Sequence, residues 1–417
     1  MTAYARATMD PNQGEPAAPG AAAYPVPGVT PLVSAAFVAG DAVHENEAER
    51  AVAARREAAE LLGGSVHRGL MWWLAITLAG TTVALYARRS DAAFFLALAA
   101  LFALAQAWDV RDRALAGELA REPALEPGLM GRLLRILVPP VVPVGAVACF
   151  VLLGAFARGL PASPAHGAAV RWCWAAGAAC LATAIPAVAR LVARVVLPRS
   201  PDSFTARLTA PIALALLLLP VPARLLIGDL LSFATGTGRP LVDVGALVAQ
   251  LAGEVLLACG AVGLWVARDA GAARERLGLG RIRARHALVA VAGLAAVLGI
   301  NSGMEALEHA RFPALWAADQ GMGRLIAGDL SIAASIVLGV SAGVGEELLV
   351  RGALQPRAGL FWASVLFMAG HVQYTWFGMI TIALLGMALG LVRDRANTTT
   401  AIVVHAIYDI IAALGAK

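Results

Sequence analysis

Apolar runs of some twenty residues recur from near residue 70 to the C-terminus, each long enough to cross the roughly 30 Å hydrocarbon core of a bilayer. No soluble globule can hide that many. Hydrophobic residues make up 59% of the 417 positions and charged residues 15%, against about 25% charged in ordinary soluble domains. The apolar mass is mostly Ala, Leu, Val and Gly, which suits close helix packing in lipid and not the alternating strands of a barrel. The expected fold is an all-α polytopic membrane bundle of about eleven transmembrane helices. They are placed near 71–87, 92–108, 134–155, 169–189, 209–226, 243–267, 286–300, 330–350, 358–371, 376–392 and 399–415. Pro139-Pro140, Pro186 and Pro220 are expected to kink or end helices.

Ahead of the first span, residues 1 to about 40 are rich in Pro, Ala and Gly without helical periodicity, and disorder is expected there. A soluble helix capped by Asp41 is expected through Glu45, Glu49, Arg56 and Glu60, stopping at Gly63-Gly64. No basic and apolar leader opens the chain, so the first membrane helix is expected to direct insertion. Three stretches result: a cytoplasmic N-terminal segment over 1–65, membrane helices of unassigned role over 66–240, and a functional core over 241–417.

The net charge of +5 is spread as arginine over interhelical loops, which argues against nucleic acid as a partner. Arginines crowd the second, fourth and sixth loops, for example Arg111, Arg113, Arg190, Arg194, Arg281 and Arg283. The opposite loops carry fewer, which puts the N-terminus on the cytoplasmic side. Cys149, Cys173, Cys180 and Cys259 fall in apolar segments without metal-binding spacing, and read as lipid-facing or core thiols. Trp72-Trp73, Trp108, Trp172, Trp265 and Trp376 fall near span ends, as interfacial aromatics do.

Ionisable groups within hydrocarbon are costly and mark function. They gather late in the chain. The eighth span ends in Glu346-Glu347-x-x-x-Arg351, the ninth carries Phe367-x-x-x-His371, and the eleventh carries His405-x-x-x-Asp409. The tenth supplies Gly386-x-x-x-Gly390, a small-residue face for close packing. Glu347 and Arg351 stand at i and i+4 with the acid first, the favourable order for a helix ion pair. Glu346 projects about 100° away and is left free to react.

A carboxylate beside an imidazole can take a proton from water, and a second imidazole can stabilise a carbonyl oxyanion. That chemistry is amide hydrolysis without a covalent step. Alternatively Glu346, His371 and His405 bind Zn²⁺, as two histidines and a glutamate with an open position do in hydrolytic zinc sites. His-Glu-x-x-His is absent, and spacing does not decide between zinc and no cofactor. Two other function classes compete: a catalytically silent membrane scaffold or immunity factor, and a transporter relaying protons through the same groups. A transporter calls for an internal repeat and a distributed polar path, and the chain has one cluster and no repeat.

The three motifs, in this order on successive late helices, resemble those of the CPBP family. That family comprises type II CAAX prenyl endopeptidases and bacterial proteins of bacteriocin processing and immunity, once called the Abi family. The resemblance covers about residues 320–417. It implies an intramembrane endopeptidase of a bacterial inner membrane, with a cavity open to the cytosol, acting on a membrane-associated peptide or protein among membrane lipid. Carried over, Glu346 and His371 would activate water, His405 and Asp409 would form the oxyanion site, and Glu347, Arg351 and Phe367 would support it. Family members have been described with and without a catalytic metal, so the cofactor stays open. An ionised Asp409 is a poor oxyanion donor, and the residue would instead orient His405 or be protonated.

Overall fold

The computed structural model describes residues 66–87, 89–118, 129–199, 201–236 and 242–416. The expected disorder of residues 1–40 and the Asp41 helix lie outside the described residues. Among those described, the long elements are all helical. The first half contains α1 (Val66–Tyr86), α2 (Ser90–Glu118), α3 (Leu129–Gly159), α4 (Pro164–Ala182), α5 (Pro186–Val196), α6 (Phe204–Leu218) and α7 (Pro220–Gly236). The second half contains α8 (Val244–Val262), α9 (Ala270–Arg276), α10 (Ala284–Arg311), α11 (Pro313–Ala327), α12 (Ile332–Glu347), a π-helical segment (Leu348–Leu354), α13 (Gln355–Ala369), α14 (Trp376–Arg395) and α15 (Thr398–Gly415).

Eight helices are long and apolar enough to cross a membrane, or ten if two bent pairs each count as one span. The expectation of eleven departs from ten at a single place: 330–350 and 358–371 form one helical run, Ile332–Ala369. Proline explains the bent pairs. It lacks an N–H and clashes with the preceding turn, and Pro186 and Pro220 open α5 and α7 after breaks of 102° and 57°. Pro139 and Pro140 do not end a helix, because α3 continues through them.

The run from Ile332 to Ala369 is not straight. Gly359 has φ 78 and ψ 171, a backbone state open to glycine and closed to side chains. Arg351 and Phe367 show the consequence: a straight helix would hold them roughly 24 Å apart, yet the guanidinium carbon lies 5.2 Å from the ring centre. The chain folds back at the bend. The ten or so residues after it extend about 15 Å, half a hydrocarbon core, and stop at the level of the cavity described below.

Glycine faces set the packing of the core. Lipid tails are as apolar as leucine, so membrane helices associate through close van der Waals contact and interhelical hydrogen bonds. A Cβ at Gly343 would lie 2.7 Å from Ala406 N, and one at Gly339 would lie 2.7 Å from Ala406 O. α12 and α15 therefore touch backbone to backbone. Likewise a Cβ at Gly386 would lie 3.3 Å from Phe367 Cδ1, and one at Gly390 would strike Leu360, which seats α14 antiparallel on α13. On the other side of α12, Gly345 lies against the carboxyl of Glu254 on α8.

Side-chain caps fix where these helices begin. Ser331 accepts from Ala334 N, Thr375 from Gly378 N and Asn397 from Thr400 N, which satisfies donors that the first turn leaves open. Two of the tryptophans expected at the interface are core residues. Trp73 is 1% exposed and donates to Leu264 O at 2.7 Å, and Trp108 stacks edge-on against Phe204. Trp72, Trp172, Trp265 and Trp376 are exposed.

Candidate active site

Close approach of α12 and α15 brings the acidic end of one helix to the histidine of the other. Glu347 Oε1 accepts from His405 Nδ1 at 3.0 Å, and its Oε2 stands 3.2 Å from Arg351 Nε. The Glu347 and Arg351 side chains are fully buried, and that of His405 nearly so. The Arg351 contact is an ion pair without hydrogen-bond alignment. The guanidinium gains its other support from the face of Phe367. The neighbouring Glu346 points elsewhere, as the 100° step of a helix requires. Its side chain is 20% exposed, and Oε2 lies 3.9 Å from His405 Nε2. Asp409, one turn beyond His405, sets Oδ2 3.4 Å from the same nitrogen.

His371 arrives from the turn after α13. Its Nδ1–H donates to Phe367 O at 2.8 Å, and its ring meets the Phe367 ring edge-on at 4.6 Å. A carbonyl only accepts, so Nδ1 holds a proton, and in the neutral ring the lone pair is on Nε2. Asp319 on α11 pins this turn by accepting from Thr375 N and Thr375 Oγ1, each at 2.6 Å. Non-helical backbone at membrane depth is tolerated where it lines a cavity, and here it does.

Glu346, His371, His405 and Asp409 all line one cavity of about 600 Å³ between α8, α10, α11, α12, α14 and α15. Glu347, Arg351 and Phe367 surround them, with Phe367 alone of the three reaching the cavity wall. Motifs far apart in the chain thus meet at one place. Among the described residues no group of three or more His, Cys, Asp or Glu side chains is placed to hold a metal ion. His405 turns one nitrogen to Glu347 and the other towards Asp409 and Glu346, an orientation that a metal-ligating histidine also adopts.

Several cavity residues are absent from the sequence-based list. Asn301 on α10 and Tyr408 on α15 line the wall and bond to each other, and Glu305, Glu308 and Asp319 line another part. Asn301 carried a usable signal, a lone amide within an apolar span. Asp319 carried none, because it lies in a short amphipathic helix where an acid is unremarked. Glu254 on α8 is buried against Gly345 and accepts from Gln250 Nε2 at 2.9 Å.

Fold and cavity together describe an all-helical integral membrane protein with paired carboxylate and imidazole groups in its interior. Residues 328–411 match the family model of the type II CAAX prenyl endopeptidases, Rce1-like. This is the family that the three motifs resemble, and the match supports intramembrane endopeptidase activity in general. No curated protein and no solved structure matches the chain.

Proposed function

We propose that this protein is an intramembrane endopeptidase that hydrolyses a peptide bond of a membrane-associated peptide or protein. The observation that supports it best is the convergence of Glu346, His371, His405 and Asp409 on one cavity. Of the adjacent acids, Glu347 faces Arg351 and Glu346 has no arginine partner among the described residues, and the Nε2 of His371, on the ring edge away from the Phe367 carbonyl, serves as a base. Water between them loses a proton as its oxygen attacks the carbonyl carbon. The proton passes through Glu346 to the leaving nitrogen as the C–N bond breaks, giving acid and amine with no net change at the site.

His405 faces the carbonyl oxygen. Nδ1–H is held by Glu347, and the nitrogen towards Asp409 carries a proton because a carboxylate only accepts. That N–H stabilises the oxyanion, while Asp409 orients the ring. The catalytic core is assigned to 241–417, in a bacterial inner membrane with a cytoplasmic N-terminus.

The test is cleavage of a membrane-peptide library by the detergent-purified full chain, with Glu346→Gln and His371→Ala beside it and with and without chelator. Cleavage that survives chelation and is lost in both variants at normal abundance is expected. Equal cleavage by wild type and Glu346→Gln, or none by wild type, overturns the reading in favour of a silent scaffold.

A further inference from the structure

An ionised Asp409 cannot donate a hydrogen bond, and His405 offers the cavity one N–H that it shares with Asp409 and Glu346. A tetrahedral oxyanion is ordinarily held by more than one donor. The carboxylates of the cavity wall, Glu305, Glu308 and Asp319, are acceptors and add nothing. Tyr374 also lines the cavity, but its hydroxyl lies in the field of Asp409, Asp319 and Glu346, which disfavours a further negative charge beside it.

Asn301 is different. It stands on α10 opposite the His405–Asp409 stretch, where Val297, one turn earlier, packs in one apolar cluster with Val404 and Tyr408. Tyr408, adjacent to Asp409, donates its O–H to Asn301 Oδ1 at 2.9 Å. An amide has one acceptor atom and a two-proton donor atom. With Oδ1 engaged by a phenol, the amide plane is fixed and Nδ2 is turned away from Tyr408. Among the described residues Nδ2 has no protein acceptor, and Asn301 is part of the cavity wall. The arrangement leaves a neutral, pre-oriented N–H₂ in a space otherwise dominated by acceptors.

We infer that Asn301 Nδ2 is a catalytic donor, completing with His405 the oxyanion site of the proposed endopeptidase, and that Tyr408 is its positioning residue. The inference rests on the endopeptidase reading. It adds that the donor comes from α10, outside the residues that the family match covers.

The experiment uses the detergent-purified full chain and a fluorogenic member of the peptide library that wild type cleaves. Asn301→Ala is expected to lower kcat by about a hundredfold, the usual scale for one oxyanion donor, with KM within threefold. Asn301→Asp, of the same shape but without the donor, is expected to do no better. Tyr408→Phe, which frees the amide to rotate, is expected to lose about tenfold in kcat. Thermal midpoints within a few degrees of wild type in Asn301→Asp keep a folding defect apart from the chemical one. A kcat within threefold of wild type in Asn301→Asp overturns the inference and leaves the endopeptidase intact. A change confined to KM makes Asn301 a substrate contact and also overturns it. Absence of any wild-type cleavage that Glu346→Gln abolishes overturns the endopeptidase reading, and Asn301 with it.

Discussion

His405 Nδ1 donates to Glu347 Oε1 at 3.0 Å across the α12–α15 contact, where neither side chain is more than 7% exposed. The second oxygen of Glu347 faces Arg351, so one carboxylate holds a ring on another helix and a cation on its own. Removing it strands both. Glu347→Ala is expected to destabilise the protein by about 3–5 kcal/mol, the scale for breaking a buried ion pair. Glu346→Gln, which breaks no such pair, is expected to keep its thermal midpoint. Equal unfolding midpoints for the two variants in detergent would show that Glu347 is no such anchor.

Glycine contacts separate structural from idle positions sharply. A Cβ at Gly343 meets the backbone of Ala406, whereas one at Gly303 on α10 meets nothing within 4 Å. Gly343→Ala is expected to cost about 1–3 kcal/mol as an overpacked interface and to reduce cleavage by parting Glu347 from His405. Gly303→Ala is expected to be neutral, or stabilising by up to about 1 kcal/mol through helix propensity. Thermal unfolding of both variants decides the matter, and the same sign for both would contradict it.

The ion pair at the start of α8 carries a pH signature. Two 2.8 Å hydrogen bonds from Arg89 hold the Asp243 carboxyl below its ordinary 3.8. A depressed carboxyl contributes stability that is complete above the ordinary value and is lost as pH falls through the depressed one. Asp243→Asn keeps the acceptor that caps Ala246 N and removes the charge. Between about pH 5 and pH 3 the wild-type thermal midpoint is expected to fall more steeply than that of Asp243→Asn. Parallel curves would exclude the pair as a source of acid sensitivity.

Phe367 presents one face to Arg351 and meets His371 edge-on. Phe367→Leu keeps an apolar filler and loses both ring contacts. Cleavage is expected to fall between about tenfold and a hundredfold, the scale for a catalytic group displaced by about 1 Å. The loss is expected in kcat, since Phe367 steadies His371 through its ring. A variant with wild-type kcat would show that the turn holds His371 unaided.

Helical architecture was legible because spans of apolar residues leave few other choices, and the motif residues stood out as charges in hydrocarbon. The i, i+4 relation of Glu347 and Arg351 followed from helix geometry alone. The bond from Glu347 to His405 did not, because it depends on the approach of α12 to α15. The glycines that permit this approach, Gly339 and Gly343, look like any small-residue stripe until the partner is known. The reversal at Gly359 was hidden for a similar reason: a glycine in an apolar run is compatible with a straight helix. Asn301 was visible only as a lone amide in an apolar span, whereas its bond to Tyr408, which stands 107 positions later, depends on the packing of α10 against α15.

The seven residues Leu348–Leu354 wind as a π-helix between the acidic pair and Gln355, and Arg276 donates to the Gly352 and Ala353 carbonyls there. A wide turn of this kind holds one residue more than an ordinary turn. It works as an angular offset, setting the azimuth of everything upstream against everything downstream. Replacing a side chain leaves that offset intact. Losing a single residue would turn Glu346 and Glu347 by about 100° against α13, so what this stretch transmits is its length.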